Sequence, residues 1–227
     1  MKIVIAPDSF KGSLTAAEAA EAIETGFRAV YPDAEYVKVP MADGGEGTVQ
    51  SLVDATSGTI ITQLVSGPMG DMVAGFFGIL GDRQTAVIEM AAASGIHWVR
   101  PKERDVYLAS SFGTGQLINA ALDRGCDKLI VGLGGSATND GGMGMMKALG
   151  AQFLDQEGVQ LTADVRALLQ LERIDLRHLD PRLDKTEIVV ACDVDNPLCG
   201  ENGSSMVFGP QKGATEEDIA VLDQALT

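Results

Sequence analysis

Five stretches of the chain share one layout, a continuous apolar and mostly β-branched run that breaks into a polar or glycine-bearing loop carrying an acid. They are KIVIAPDSFKGS from Lys2, YVKVPMADGGEGT from Tyr36, TAVIEMAAASG from Thr85, KLIVGLGGSATNDGG from Lys128 and EIVVACDVDNP from Glu187. Unbroken apolar runs of four to six residues predict strands buried on both faces, as in a parallel sheet covered by helices. Helical periodicity lies between several of them. TAAEAAEAIETGFRAVY opens with Thr15 and Glu18 at capping-box spacing and sets Ala19, Ile23 and Phe27 on one face. GQLINAALDRG groups Leu117, Ala121 and Leu122 and stops at Gly125. Strands alternating with helices predict an α/β fold.

Residues 59 to 88 follow another pattern. Short apolar runs are broken at Gly-Pro, Met-Gly and Gly-Asp, which predicts a small antiparallel or mixed sheet with tight turns. A domain boundary near Gly58 follows from this change. At the other end, GATEEDIAVLDQALT starts a helix at Thr215 with acids in its first turn. Ile219, Leu222 and Leu226 mark an apolar face that needs a covering surface. Two strands before residue 58 are few for an independent parallel sheet.

Composition narrows the function. Seventeen Lys and Arg stand against 32 Asp and Glu, a formal charge of −15. That balance repels phosphate backbones and anionic lipids, so neither nucleic acid nor membrane is an expected partner. No run approaches the ~20 apolar residues of a membrane span, and the first strand is too short for a signal-peptide core. Cys126, Cys192 and Cys199 form no CxxC pair, which predicts reduced cysteines in the cytoplasm. With only His97 and His178 beside them, a zinc site is not expected.

In open parallel sheets ligands sit outside the carboxyl ends of the strands. The loops there hold Asp8, Ser9 and Lys11; Asp43, Gly44, Gly45, Glu46, Gly47 and Thr48; Glu89; Gly134, Gly135, Ser136, Thr138, Asn139 and Asp140; and Asp193, Asp195 and Asn196. Any one of these acids taken alone reads as a helix cap or turn residue. Acids in all five loops predict that some line a site. Gly134–Ser136 and Gly141–Gly142, leading into the helical MGMMKALG, suggest a backbone phosphate cradle. Carboxylates beside phosphate require a hard cation, and Asp140, Asp193 and Asp195 fit Mg2+ by type. These are the parts of a phosphoryl-transfer site. GLGGSA also satisfies G-x-G-x-x-A after a strand, so an NAD(P)-linked oxidoreductase is the rival reading. There is no GxxxxGK[ST] loop. Met143, Met145 and Met146 read as helix packing.

APDSFKGSL, ADGGEGT, GLGGSATNDGG, CDVDNPL and FGPQKGA, in this order across the chain, resemble the bacterial glycerate kinases that make 2-phosphoglycerate from ATP and D-glycerate. The resemblance implies a two-domain α/β enzyme of glycerate kinase type. Its flavodoxin/Rossmann-like domain is built from both chain ends, and a larger mixed α/β domain is inserted into it. Residues 1–58 would begin the first domain and 59–227 form the insertion, with the remainder of the first domain expected in a C-terminal part beyond residue 227. The active site is expected in the cleft between them. It implies ATP and Mg2+ as cofactors, D-glycerate as substrate and a cytoplasmic enzyme.

These motifs place the candidate residues, and their chemistry suggests the roles: Lys11 would neutralise a phosphate or the glycerate carboxylate, and Asp43 or Asp195 would accept the hydroxyl proton. Asp140 and Asp193 would handle Mg2+. Asp8, Ser9, Gly44 to Thr48, Gly134, Gly135, Ser136, Thr138, Asn139 and Asn196 would bind nucleotide or substrate. Many relatives carry a Gly-rich turn before the LxxID segment, where this chain has LTADVRALLQLERIDL. That departure and the unfinished first domain predict weak or no turnover unless the C-terminal part is supplied. A remnant that binds a phosphorylated ligand without turnover, and a homodimer, are further expectations.

Overall fold

A computed structural model of the chain describes residues 1–8, 10, 13–41 and 44–227. All five strand-plus-acid segments form strands. β1 (Lys2–Ile5) and β2 (Glu35–Lys38) pair in parallel as a two-stranded sheet. Between them α1 (Ala16–Arg28) starts with the capping box. The Thr15 hydroxyl accepts the Glu18 N–H, and Glu18 accepts the Thr15 N–H at 2.8 Å. The next helix, α2 (Thr48–Thr56), leads into the larger sheet.

That sheet is five-stranded and mixed. β3 (Thr59–Ser66) and β4 (Met72–Ile79) form an antiparallel hairpin, and β4 pairs antiparallel with β5 (Thr85–Glu89). β5, β6 (Lys128–Gly132) and β9 (Glu187–Ala191) run parallel, in the order β3-β4-β5-β6-β9. The small antiparallel or mixed sheet expected over 59–88 is therefore continuous with the parallel strands.

Helices cover this sheet on both faces. Ile88, Leu129 and Val131 pack with α3 (Ala91–Ser94) and α4 (Phe112–Leu122), where Leu117 and Ala121 are buried. On the other face Val87 and Ile130 meet Val49 and Val53 of α2. Successive residues of β5 thus feed opposite layers, as the two-residue side-chain period requires. The expectation of strands buried on both faces holds for β5, whose five residues are all buried. It fails at β9, an edge strand on which Ile188 and Val190 are about half exposed, and at β1, where Val4 is 58% exposed.

After β6 come a long loop and the short α5 (Met143–Ala148), then β7 (Gln152–Leu154) paired antiparallel with β8 (Arg173–Asp175). Met143 is buried against Phe153 and Leu161. In the segment without the Gly-rich turn, Asp–Arg pairs two residues apart shape the chain. Asp164–Arg166, Asp175–Arg177 and Asp180–Arg182 each join a carboxylate to both the Arg backbone N–H and its guanidinium. β9 is followed by α6 (Ser204–Phe208) and α7 (Glu216–Leu226). α7 carries a Thr215–Asp218 capping box, and Leu222 is buried against Val106 and Val165. Among the described residues no helix is long and apolar enough to cross a membrane.

Candidate functional site

Glycine in the β6 loop acts chiefly through close backbone approach. A Cβ on Gly132 would lie 2.2 Å from the Gly44 carbonyl oxygen, and one on Gly134 would lie 2.8 Å from Gly45 Cα. The end of β6 therefore runs backbone against backbone with the loop that precedes α2. Only hydrogen fits between them. Farther along, Gly135, Gly141 and Gly142 have φ of +74°, +58° and +78°, turns that glycine makes without a Cβ penalty.

Beside this seam, at the carboxyl ends of β5, β6 and β9, lies a cavity of about 710 Å3. Its wall includes Gly45 and Glu46, the β6 loop from Leu133 to Ser136 and from Thr138 to Gly142, Asp193 after β9, and Lys212. The volume suits a small-molecule ligand, and the position is where open parallel sheets bind ligands. Nine of the residues singled out from sequence meet here: Gly45, Glu46, Gly134, Gly135, Ser136, Thr138, Asn139, Asp140 and Asp193.

The others are distributed around it. Gly44 abuts Gly132. Gly47, at φ +94°, turns the chain into α2. Thr48 closes that turn by donating to the Gly45 carbonyl at 2.8 Å and accepting the Gly44 N–H. Asp8 is exposed and outside the cavity wall. Asp195 is also exposed and outside the wall, and Asn196 donates to the Asn202 carbonyl. Ser9, Lys11 and Asp43 lie outside the described residues.

Two of the acids are structural caps. Glu89 is buried and accepts the Val49 N–H at 2.7 Å, with the Gly47 and Thr48 N–H groups also interacting with it. Burial nonetheless outweighs these donors and pushes its pKa up. Asp140 is buried, and its Oδ2 accepts from Ser111 N, Ser111 Oγ and Gly144 N, while Oδ1 accepts from Gly142 N. Ser111 Oγ in turn accepts the Met145 N–H. The first N–H groups of the six-residue α5 are thus occupied within the protein, so the helix-end phosphate cradle expected here is filled by Asp140 and Ser111. The G-x-G-x-x-A match is likewise no dinucleotide turn. Ten residues, 133 to 142, separate β6 from α5, whereas the dinucleotide motif passes directly into its helix.

Lys212 is the basic residue among the described lining residues, and spacing in the sequence does not single it out. It sits inside the FGPQKGA motif, which Gly213 closes at φ +99°. Its ammonium donates to Ser136 Oγ at 3.0 Å and to the Thr138 carbonyl at 2.5 Å. Burial lowers its pKa to about 8, against a weaker opposing pull from Asp140. Asn139 Nδ2 donates to Ser205 Oγ, so the same loop is pinned to α6 as well.

A model described as the glycerate kinase family matches residues 3–227. The chain is 60% identical over 227 residues to a glycerate kinase from Haemophilus influenzae and 54% identical to a glycerate 2-kinase from Escherichia coli K12. In both cases it covers 100% of itself and 60% of the relative. A crystal structure of a proposed glycerate kinase 2 from Salmonella typhimurium LT2 superposes with a TM-score of 0.91 at 56% identity, again over 100% of this chain and 60% of that one. The chain thus spans about 60% of the length of the curated relatives it matches. With the cavity at the strand ends and a match running nearly end to end, the chain belongs to the glycerate kinase family.

Proposed function

We propose that the chain carries the ligand cavity of a phosphotransferase that moves the γ-phosphoryl of ATP to a hydroxyl of D-glycerate, giving 2-phosphoglycerate. The observation that carries the reading is the meeting of the 45–46, 133–142, 192–194 and 208–212 segments around one cavity. Phosphoryl transfer demands little covalent chemistry from the protein; positioning and charge placement dominate. The wall supplies both, with glycine backbone, the Ser136 hydroxyl, the Glu46 and Asp193 carboxylates and one buried ammonium. On this reading residues 1–58 and 59–227 are parts of two domains, with α2 seated on the sheet of the second, in a cytoplasmic enzyme.

Among the described residues no three His, Cys, Asp or Glu converge as a metal cage. Mg2+ does not need one, because it commonly takes one or two carboxylates together with phosphate oxygens and water. Asp193 is the wall carboxylate proposed to hold it; the Asp140 carboxylate is engaged by four donors and locks the loop instead. When bound, the ion supplies charge neutralisation to the phosphate oxygens. The chain's own task is to fix the β6 loop and the Gly44–Glu46 loop against each other, so that two ligands are oriented in one space. Asp43, adjacent in sequence to that loop, is proposed to take the hydroxyl proton, and Lys11 keeps the anion-neutralising role that its motif suggests.

The test is ADP release by the 227-residue chain that requires D-glycerate, with 2-phosphoglycerate identified as product, beside calorimetric titration of ADP and D-glycerate. A chain that binds neither ligand overturns the reading.

A further inference from the structure

Among the described lining residues of the cavity, every polar group except one is either neutral or acidic. Glu46, Asp140 and Asp193 are the acids, and Lys212 is the basic residue among the described lining residues. Lys212 is only 7% exposed, yet the partners of its ammonium are a hydroxyl and a carbonyl, both uncharged. Among the described residues no carboxylate stands within ion-pair distance of it. Asp140, the carboxylate that acts on it electrostatically, directs its oxygens to Ser111, Gly142 and Gly144.

Burying an ammonium without a counter-ion costs several kcal/mol, and cores seldom retain one. A strut between Ser136 and Thr138 needs only a neutral donor. A lysine here has a reason to be charged if a ligand brings the missing negative charge into the cavity. Two of its three N–H donors are engaged by the protein, which leaves one.

We infer that Lys212 receives an anionic oxygen group of the bound ligand, phosphoryl or carboxylate, at the wall of this cavity. The inference rests on the cavity being the ligand site proposed above and assigns the cation within it. The charged lining groups that share this cavity with Lys212, among the described residues, are Asp140 on the β6 loop, Asp193 after β9 and Glu46 before α2. Behind it, Arg104 donates to the Gln211 carbonyl and packs on Gly213. An arriving anion would raise the lowered pKa of Lys212, so binding above about pH 8 takes up a proton.

ADP, D-glycerate and inorganic phosphate are titrated calorimetrically into the protein and into Lys212→Met and Lys212→Arg. Each titration is run near pH 6.5 and near pH 9 in two buffers of different ionisation enthalpy. The expected result is that Lys212→Met weakens one class of ligand by about ten- to hundredfold while Lys212→Arg retains part of the affinity. Weakening of ADP and phosphate assigns a phosphoryl group; weakening of D-glycerate alone assigns the carboxylate. In the unmodified protein the complex with that ligand gains a proton near pH 9, where the ligand's own phosphate or carboxylate is already fully ionised, a readout that a purely structural strut does not produce. This arm needs no variant and stands even if Lys212→Met folds poorly. Binding of all three ligands by Lys212→Met as by the unmodified protein, or binding near pH 9 without proton uptake, overturns the inference and leaves the functional reading intact. An unmodified protein that binds none of the three overturns both.

Discussion

Glu89 and Val49, 40 residues apart, are joined by a 2.7 Å hydrogen bond from the Val49 N–H to Glu89 Oε1. The contact ties the carboxyl end of β5 to the first turn of α2. It fixes the Gly44–Glu46 loop beside the β6 loop and so helps to shape the cavity. Because burial raises the Glu89 pKa above the unfolded value, ionisation of this group costs stability. The cost is fully present above the folded pKa and disappears as pH falls toward the unfolded one. Glu89→Gln removes the charge and keeps an acceptor, so it is expected to be at least as stable as the unmodified protein at neutral pH. Its advantage should shrink on acidification. Glu89→Ala leaves N–H groups at the start of α2 without their acceptor and should cost about 1–3 kcal/mol. Urea unfolding of both variants across the acid range checks the pair of outcomes.

Asp140 separates a capping role from a metal-binding one. Its carboxylate accepts from Ser111 twice and from Gly142 and Gly144. Asp140→Ala should therefore destabilise the protein by roughly 3 kcal/mol or more in metal-free buffer. Added Mg2+ should make no difference to that loss. Unchanged ligand-free stability, with only the Mg2+ response lost, would return Asp140 to the metal site.

The elements were legible from sequence because their signals are local. Thr15 with Glu18 and Thr215 with Asp218 both form capping boxes, and the apolar runs at Lys2, Thr85 and Lys128 all form strands. The division of labour among the acids was not legible. Asp140 and Asp193 look alike as acids in strand-end loops, and only the fold turns one toward Ser111 and leaves the other in a cavity wall. Lys212 escaped for a related reason. Its partners Ser136 and Thr138 lie 76 and 74 residues away, a separation that no spacing rule covers. The exposed apolar residues of β9 show the same limit, since an unbroken apolar run specifies a strand but not its place at a sheet edge.

Gly132 tests the backbone seam. A methyl group there would meet the Gly44 carbonyl oxygen at 2.2 Å, and neither backbone has a flexible side-chain end with which to yield. Gly132→Ala should push the 44–48 loop away from β6. The expected outcome is destabilisation of about 1–3 kcal/mol, as for overpacking elsewhere, together with weaker binding of ADP or D-glycerate. Gly26→Ala serves as the control, because nothing lies within 4 Å of an added Cβ there and the position is helical. It should leave binding unchanged and stability unchanged or slightly raised. Equal behaviour of the two variants would show that the close approach does not organise the site.

Lys212 also leaves a signature in the pH dependence of folding. Its folded pKa of about 8 lies below the 10.5 of a solvated lysine. Below about pH 8 both folded and unfolded chains hold the proton, and the full burial penalty opposes folding. Between there and 10.5 the unfolded chain binds more protons than the folded one, so this group's contribution to stability rises with pH. The gain recoverable by pH 10 is on the order of 2 kcal/mol. Lys212→Met lacks the titration. It also deprives the Thr138 carbonyl and the Ser136 hydroxyl of their donor, a loss that does not vary with pH. The stability of the unmodified protein relative to Lys212→Met should therefore be flat below about pH 8 and climb above it, whatever its sign at neutral pH. Chemical denaturation of both proteins from neutral pH to about pH 10 measures that climb. A difference that stays level over the whole range would mean that the Lys212 ammonium is solvated, which removes the reason for assigning it an anion.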